Sequence, residues 1–165
     1  MTLAEAGAQA AEHAERGQER ELSELRRGWE DELEGAARSS DFRERAVAYR
    51  AIGQFRWRQK TELLRRGLED ESPACRGSAL VSIELLSRDH PGLVNTLRPL
   101  LHSLVNADGN QAVRRLAAVC LAHGSPHRET IVLLEHLGGD DELAAELRNV
   151  AKRVAQTLKR KTTAR

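Results

Sequence analysis

Basic side chains are the residues of this sequence whose types and spacing best suit binding chemistry. One group lies around residues 56–66, and two arginines seven residues apart precede it on one face of a predicted helix. A second group follows Glu146, after which the chain has no acidic residue. Such groups can neutralise nucleic-acid phosphates or contact an acidic protein surface. The candidate binding surface comprises Arg43, Arg50, Arg56, Arg58, Lys60, Arg65, Arg66, Lys152, Arg153, Lys159, Arg160 and Lys161.

A solvated surface is the alternative explanation for both groups. Lysines and arginines near the end of the last predicted helix also interact favourably with the helix dipole. Residues 1–40 carry ten Asp or Glu against five Arg, which counts against simple avidity for nucleic acid. With 3% aromatic residues, the sequence offers no stacking platform for single strands. For both groups, a binding surface and a solvated surface therefore remain alternative explanations.

The sequence contains no pattern typical of a catalytic or metal site. It has no glycine-rich phosphate loop, no Gly-x-Ser-x-Gly elbow and no Cys-x-x-Cys pair. His123 and His127 are four apart, but the Gly-Ser-Pro between them prevents a helical metal pair. Cys75 and Cys120 have no spacing for a zinc cage, and we expect both to be small buried residues. We therefore expect no enzyme activity, no cofactor and no metal.

Composition favours helices. The 165 residues are rich in Leu, Ala, Glu and Arg, and their number suits one domain with a sizeable core. No stretch of about 18 apolar residues predicts a membrane span, and the first twenty residues lack the apolar core of a secretion signal. We expect an all-α protein of the cytoplasm that does not enter a membrane. The excess of Arg over Lys indicates a bacterial source with a GC-rich genome.

Apolar residues recur at intervals of three and four from Glu19 onwards, which predicts eight helices in four antiparallel pairs. The second of these helices has its apolar stripe at Phe42, Tyr49, Ile52 and Phe55. Asp41 and Glu44 predict a capping box at its start. The Gly-Gly-Asp-Asp run at residues 138–141 predicts the start of a long last helix.

Three segments follow from this pattern. Residues 1–18 hold one large aliphatic side chain, Leu3, so they have little to bury, and we expect a flexible or weakly helical N-terminal segment. Residues 19–160 form the predicted helical-repeat domain. Residues 161–165 form a predicted basic C-terminal tail.

A repeated motif links the second helices of the four predicted pairs. Arg-x-x-Ala recurs at steps of 31, 38 and 34 residues, which lie in the range of helical repeat proteins. The small alanine lets neighbouring helices approach closely, and the residue four positions later would fill the core between repeats. The motifs are Arg45/Ala48, Arg76/Ala79, Arg114/Ala117 and Arg148/Ala151, followed by Ile52, Ile83, Leu121 and Ala155.

This pattern resembles the HEAT-repeat family, whose second helix typically reads Asp, then Val-Arg, then a small residue and an aliphatic one. The resemblance covers roughly residues 20–160. Valine precedes the arginine only at Val113, and aspartate lies four residues before it only at Asp41. The resemblance implies a short right-handed α-solenoid of about four antiparallel helix pairs. An irregular helical bundle is the alternative fold.

The HEAT resemblance also has implications for function. In HEAT-like proteins the repeated arginine is usually structural and bridges to an acidic or carbonyl partner in the next repeat. The family fold implies a non-catalytic adaptor or scaffold that binds another protein. The alternative is a helical-repeat protein that grips a nucleic-acid backbone through basic helix faces. HEAT-like DNA glycosylases use an aromatic-lined cleft, which a chain with only Trp29 and Trp57 as tryptophans matches poorly.

Overall fold

The computed structural model describes residues 1–164, and the prediction of an all-α fold is confirmed for them. Within that range no strand occurs, and no helix is long and apolar enough to cross a membrane. The helices are α1 (Leu3–Glu15), α2 (Glu19–Ala37), α3 (Phe42–Gln54), α4 (Thr61–Leu68), α5 (Pro73–Ser87), α6 (Gly92–Ala107), α7 (Gln111–Leu121), α8 (Arg128–Gly138) and α9 (Ala145–Thr163), with a short 3-10 helix at Arg58–Lys60 before α4.

Helices α2 to α9 lie where the apolar spacing predicts eight helices, although the last begins later than expected. The carboxylate of Asp140 accepts the Glu142 N–H at 3.0 Å, and its carbonyl accepts the Leu143 N–H at 3.1 Å. These bonds close a turn in the segment that was predicted to open the helix, because a short aspartate side chain competes for nearby backbone groups. The helix α9 therefore starts at Ala145.

The N-terminal segment differs most from the prediction, because α1 is a well-defined helix packed against α2 and α3. Thr2 and Glu5 form a reciprocal capping box at its start, with bonds of 3.2 and 2.8 Å. One face buries Leu3, Ala6 and Ala10. Such small residues bury their surface through close helix approach, which a count of large aliphatic side chains misses.

The chain divides into two compact units, of which unit 1 comprises Met1–Leu86. Here α1, α2 and α3 pack against one another, and α3 also packs against α4. Leu22, Leu33 and Leu64 are fully buried. The helix α5 crosses α3 closely at Gly53, whose N–H donates to the Ser82 hydroxyl at 2.9 Å. These contacts fix the ends of α2, α3 and α4, where the candidate sites of this unit lie.

Unit 2 begins at Ser87 and holds α6 to α9. The helix α6 packs against α7 and α8, and α9 packs against α7 and α8. Its core is made of apolar side chains from all four helices, including Leu97, Leu101, Leu121, Leu134 and Leu158. The buried face of α9 therefore packs against α7 and α8, which leaves its other face exposed.

The Arg-x-x-Ala columns are buried in all four of their helices. The four motif alanines have no exposed surface, and the residues four positions later are at most 3% exposed. Three of the four motif arginines donate to two successive backbone carbonyls that precede their own helix. These pairs are Arg45 with Ser39 and Ser40, Arg76 with Asp70 and Glu71, and Arg114 with Val105 and Asn106.

These carbonyls belong to the last turn of the preceding helix or to the connection after it, where backbone acceptors lack helical partners. The arginines therefore act mainly within their own helix pair, whereas a bridge to the next repeat was expected. Arg45 does both, since it also binds Asp70 beyond α4. Arg148 departs from the scheme, with its nearest acidic oxygen on Asp141 at 3.8 Å.

A buried polar contact joins α6 to α8 in unit 2. The Nε2 atom of His102 lies 2.7 Å from the Thr130 hydroxyl, and Thr130 is almost fully buried. Burial lowers the pKa of His102 below its ordinary value of 6.5, and Arg98 and His127 lower it further, whereas Glu129 acts in the opposite direction. The folded protein therefore holds a neutral imidazole at a pH where the unfolded chain is already protonated.

We expect the free energy of unfolding to fall as the pH drops below 6.5, because the unfolded state then binds a proton that the folded state refuses. His102→Gln removes this contribution and keeps a hydrogen-bonding group for Thr130. Urea unfolding at pH 7.5 and 5.5 measures both proteins, with the exposed His136→Gln variant as the control. Equal losses in the wild type and in His102→Gln would contradict this assignment.

Candidate binding surfaces

Lys60, near the centre of the first predicted basic group, is engaged inside the fold. Its Nζ atom donates to Glu30 at 3.0 Å and to Glu34 at 2.6 Å, and it lies 4.4 Å from the centre of the Trp57 ring. Burial lowers the pKa of Lys60, but the bonds to Glu34 and Glu30 outweigh it and raise the pKa. With its side chain only 9% exposed, Lys60 is not available to a partner.

Several arginines of the same group also have partners within the protein. Arg43 makes two bonds of 3.2 Å to Asp41, the residue that caps α3. Arg65 bonds Glu62 at 3.3 Å one turn earlier in α4. Arg56 donates to the carbonyl of the residue three positions before it, at 2.9 Å. The guanidinium groups of Arg43 and Arg65 are therefore paired with carboxylates, and that of Arg56 is hydrogen-bonded to a backbone carbonyl.

Four arginines of the first group are exposed on unit 1: Arg43, which pairs with Asp41, and Arg50, Arg58 and Arg66. Arg50 lies on α3 and Arg66 in the last turn of α4. The guanidinium groups of Arg50 and Arg66 form no ion pair or hydrogen bond with any residue of the described range, although the Arg50 carbonyl accepts the Ser82 hydroxyl at 3.1 Å. This leaves two uncompensated guanidinium groups on separate helices of the unit.

The second basic group is carried by α9. Lys152, Arg153 and Arg160 are exposed, whereas Lys159 pairs with Glu135 on α8 at 2.7 Å. Lys152, Arg153 and Arg160 form no ion pair within the described residues. They form an exposed basic face on α9.

Lys161 has a structural position that the predicted tail does not suggest. The helix α9 continues to Thr163, and the Lys161 ammonium group donates to the carbonyls of Ala122 at 2.6 Å and Gly124 at 3.0 Å. Burial lowers the pKa of this side chain. Lys161 therefore fastens the connection between α7 and α8, while the tail residue Arg165 lies outside the described residues.

The two cysteines and the possible metal ligands are the remaining residues that could carry chemistry. The Cys75 thiol is buried and donates to the Phe42 carbonyl at 3.2 Å, and burial, followed by the charge of Asp70, raises its pKa. The predictions that Cys75 and Cys120 are buried are confirmed. Among residues 1–164, no three His, Cys, Asp or Glu side chains are grouped as they would be to hold a metal ion.

An apolar groove of about 750 Å³ lies between the start of α1, the end of α2 and the start of α3. Val47 in its wall is 36% exposed, and Phe42, which precedes the lining residue Arg43, is 47% exposed. The expectation that Phe42 belongs to the core stripe is therefore wrong, because the first residue of α3 lies beyond the packed part of the helix. This α1–α3 groove is lined by Thr2, Leu3, Ala4, Glu32, Gly35, Ala36, Arg43, Glu44 and Val47.

The charges around the α1–α3 groove are unbalanced. Asp41 caps α3 by accepting the Arg43 N–H at 2.9 Å, and the Arg43 side chain neutralises its carboxylate and lowers its pKa. Glu44 accepts the Ser39 hydroxyl, so the predicted capping box with Asp41 does not form. Within the described residues Glu44 and the exposed Glu32 form no ion pair, so the groove lining has two carboxylates against the single cation Arg43 and its rim is acidic.

A second pocket of about 520 Å³, the arginine pocket, opens on the opposite face of α3. Its base is the ion pair of Arg45 and Asp70, whose two hydrogen bonds measure 2.9 and 3.0 Å. Arg66 belongs to the first predicted basic group, and Tyr49 lies in the predicted apolar stripe of α3. The arginine pocket is lined by Ala37, Arg38, Arg45, Tyr49, Arg66, Asp70 and Glu71.

Comparison with known proteins gives no family assignment. No protein-family model matches the chain, and no curated protein matches its sequence.

Proposed function

We propose that the protein is a non-catalytic adaptor or scaffold that binds another protein and is built on HEAT-like repeats. Support for the repeats comes from the burial of the same motif columns in α3, α5, α7 and α9. The recurring bonds from motif arginines to the carbonyls before their helices add to it. In this proposal the helix pairs form a short right-handed solenoid, with α1 as an additional helix at its beginning.

The α1–α3 groove is the observation that carries the binding function. Val47, one of the four large apolar side chains that stand exposed among the described residues, lines the groove, and the exposed Met1 and Phe42 directly precede the lining residues Thr2 and Arg43 in the chain. Apolar surface gathered in a concave site, rimmed by polar groups, is typical of an interaction site. Because Glu32 and Glu44 leave the rim acidic, the fitting partner is an apolar protein segment flanked by basic residues.

A second candidate function, nucleic-acid binding, is favoured by the exposed face of α9. Lys152, Arg153 and Arg160 could each neutralise a phosphate and release counterions. Against it, Lys60, Lys159 and Lys161 of the same predicted surface are bound within the fold. We therefore propose the α1–α3 groove, in preference to the basic face of α9, as the binding site.

The Val47→Asp variant tests the adaptor function, because it places a charge in the apolar wall of the groove. We expect retention of the partner to fall about tenfold, which corresponds to about 1.4 kcal/mol. The tagged protein is used to capture material from its own cells after nuclease treatment, and captured proteins are quantified by mass spectrometry. Val132→Asp, which charges an exposed valine on α8, is the matched control.

The two functions predict different results. A protein that survives nuclease, stays with Val132→Asp and is lost with Val47→Asp supports the adaptor. Bound material that disappears with nuclease, falls steeply with salt and is lost when Lys152, Arg153 and Arg160 are changed to Glu contradicts the adaptor and supports nucleic-acid binding.

A further inference from the structure

The arginine pocket has a base that is already satisfied. Arg45 donates to both carboxylate oxygens of Asp70 and to the carbonyls of Ser39 and Ser40. Asp70 accepts a further bond, of 2.9 Å, from the Ser72 N–H. Because these bonds hold both side chains in place and pair their opposite charges, the base of the pocket, its floor, is fixed and carries no net charge.

Above this floor, Tyr49 has an unused hydroxyl group. The residue is only 3% exposed, yet its hydroxyl forms no hydrogen bond with any residue of the described range. Burial raises the pKa of Tyr49, the charge of Asp70 raises it further and that of Arg66 lowers it, and both charged residues line the same pocket as Tyr49. Because Tyr49 lines the pocket and its hydroxyl has no partner among the described residues, this hydroxyl is free to donate to a bound ligand or water.

The mouth of the pocket carries two open guanidinium groups. Arg66 has no partner in the described range, and the exposed Arg38 has only a 3.5 Å contact to Glu34. Three arginines face the two carboxylates of Asp70 and Glu71 around the pocket, which leaves one net positive charge. That charge matches a single carboxylate better than a doubly charged phosphate.

We propose that the arginine pocket binds the carboxylate of an acidic side chain from another protein, with the Tyr49 hydroxyl and the guanidinium groups of Arg38 and Arg66 as donors. Charge-assisted bonds of this kind are strong and directional. Because Arg38 and Arg66 stand at the surface, the pocket admits a group that projects from a partner. This site lies on the face of α3 opposite the α1–α3 groove and acts independently of it.

Nuclear magnetic resonance of the full-length protein tests the site through the side-chain Nε–H signals of its arginines. The probe is glutamate blocked at both backbone ends, titrated at constant ionic strength, with inorganic phosphate as the comparison. We expect saturable shifts of the Arg38 and Arg66 signals. Tyr49→Phe should weaken binding about tenfold through loss of one charge-assisted bond, and Arg66→Gln should abolish it.

Two controls separate this site from folding effects and from the groove. Arg50→Gln removes another exposed, unpaired arginine of unit 1 and should leave the titration unchanged. Val47→Asp should also leave it unchanged, so a failure of the groove and a failure of the pocket are distinguishable. Shifts that do not saturate, an unchanged affinity in Tyr49→Phe, or tighter binding of phosphate than of glutamate would overturn the proposal.

Discussion

Replacing Gly53 by alanine is expected to lower the free energy of unfolding by about 2–3 kcal/mol, because α3 and α5 leave no room for a methyl group. A Cβ atom at this position would lie 2.7 Å from both the Cα and the Oγ atoms of Ser82. The Ser82 hydroxyl accepts the Gly53 N–H and donates to the Tyr49 carbonyl. Separating the helices to relieve the contact would therefore also break buried hydrogen bonds.

Gly28→Ala is the matched control for this prediction. Gly28 lies in α2, and a Cβ atom there would meet no atom within 4 Å. Since alanine is the better helix former, we expect this variant to gain about 0.5–1 kcal/mol. Urea unfolding followed by circular dichroism measures both variants. A Gly53→Ala protein as stable as the wild type would show that the crossing of α3 and α5 is looser than described.

The second large effect is expected for Arg114→Met, which removes a buried guanidinium group and keeps much of its volume. Arg114 is 8% exposed and donates to the Val105 carbonyl at 2.8 Å and to the Asn106 carbonyl at 3.1 Å. Because charged donors make stronger bonds and the carbonyl of the buried Val105 would be left unsatisfied, we expect a loss of about 2–4 kcal/mol.

The adjacent Arg115→Met provides the comparison. Arg115 pairs with Glu146 on α9, but both side chains are largely exposed, and such pairs are worth about 0–1 kcal/mol. The difference between the two variants in urea unfolding therefore isolates the carbonyl-binding role. If both variants lose the same amount, the motif arginine does not have the structural role assigned to it.

The sequence predicts most of the helices because their apolar spacing is a local property. Leu22 and Leu33 of α2 and Leu147 and Leu158 of α9 are buried as their spacing indicates. The helix α1 is different, because alanines gain burial only when a neighbouring helix approaches closely. Its capping box of Thr2 and Glu5 is the local signal that would have revealed the helix start.

The candidate sites are harder to predict because charge availability is a tertiary property. Lys60 is neutralised by Glu30 and Glu34, which lie 30 and 26 residues earlier in the chain. No local pattern links such positions. Likewise, Tyr49 is buried as its place in the apolar stripe indicates, while its place with Arg66 in one pocket lining depends on how α3 and α4 pack.

Because the motif arginines bond to carbonyls that are close in sequence, a chain of this kind can gain or lose whole segments. Arg76 reaches back six residues to Asp70, and Arg114 reaches back nine to Val105. Donor and acceptor therefore lie in one short stretch of sequence. A gene duplication that copied this stretch would insert both partners together, and a deletion would remove both. Either event would leave few orphaned carbonyls, so growth or shortening by whole segments is less damaging to this protein than a single substitution at one of these arginines.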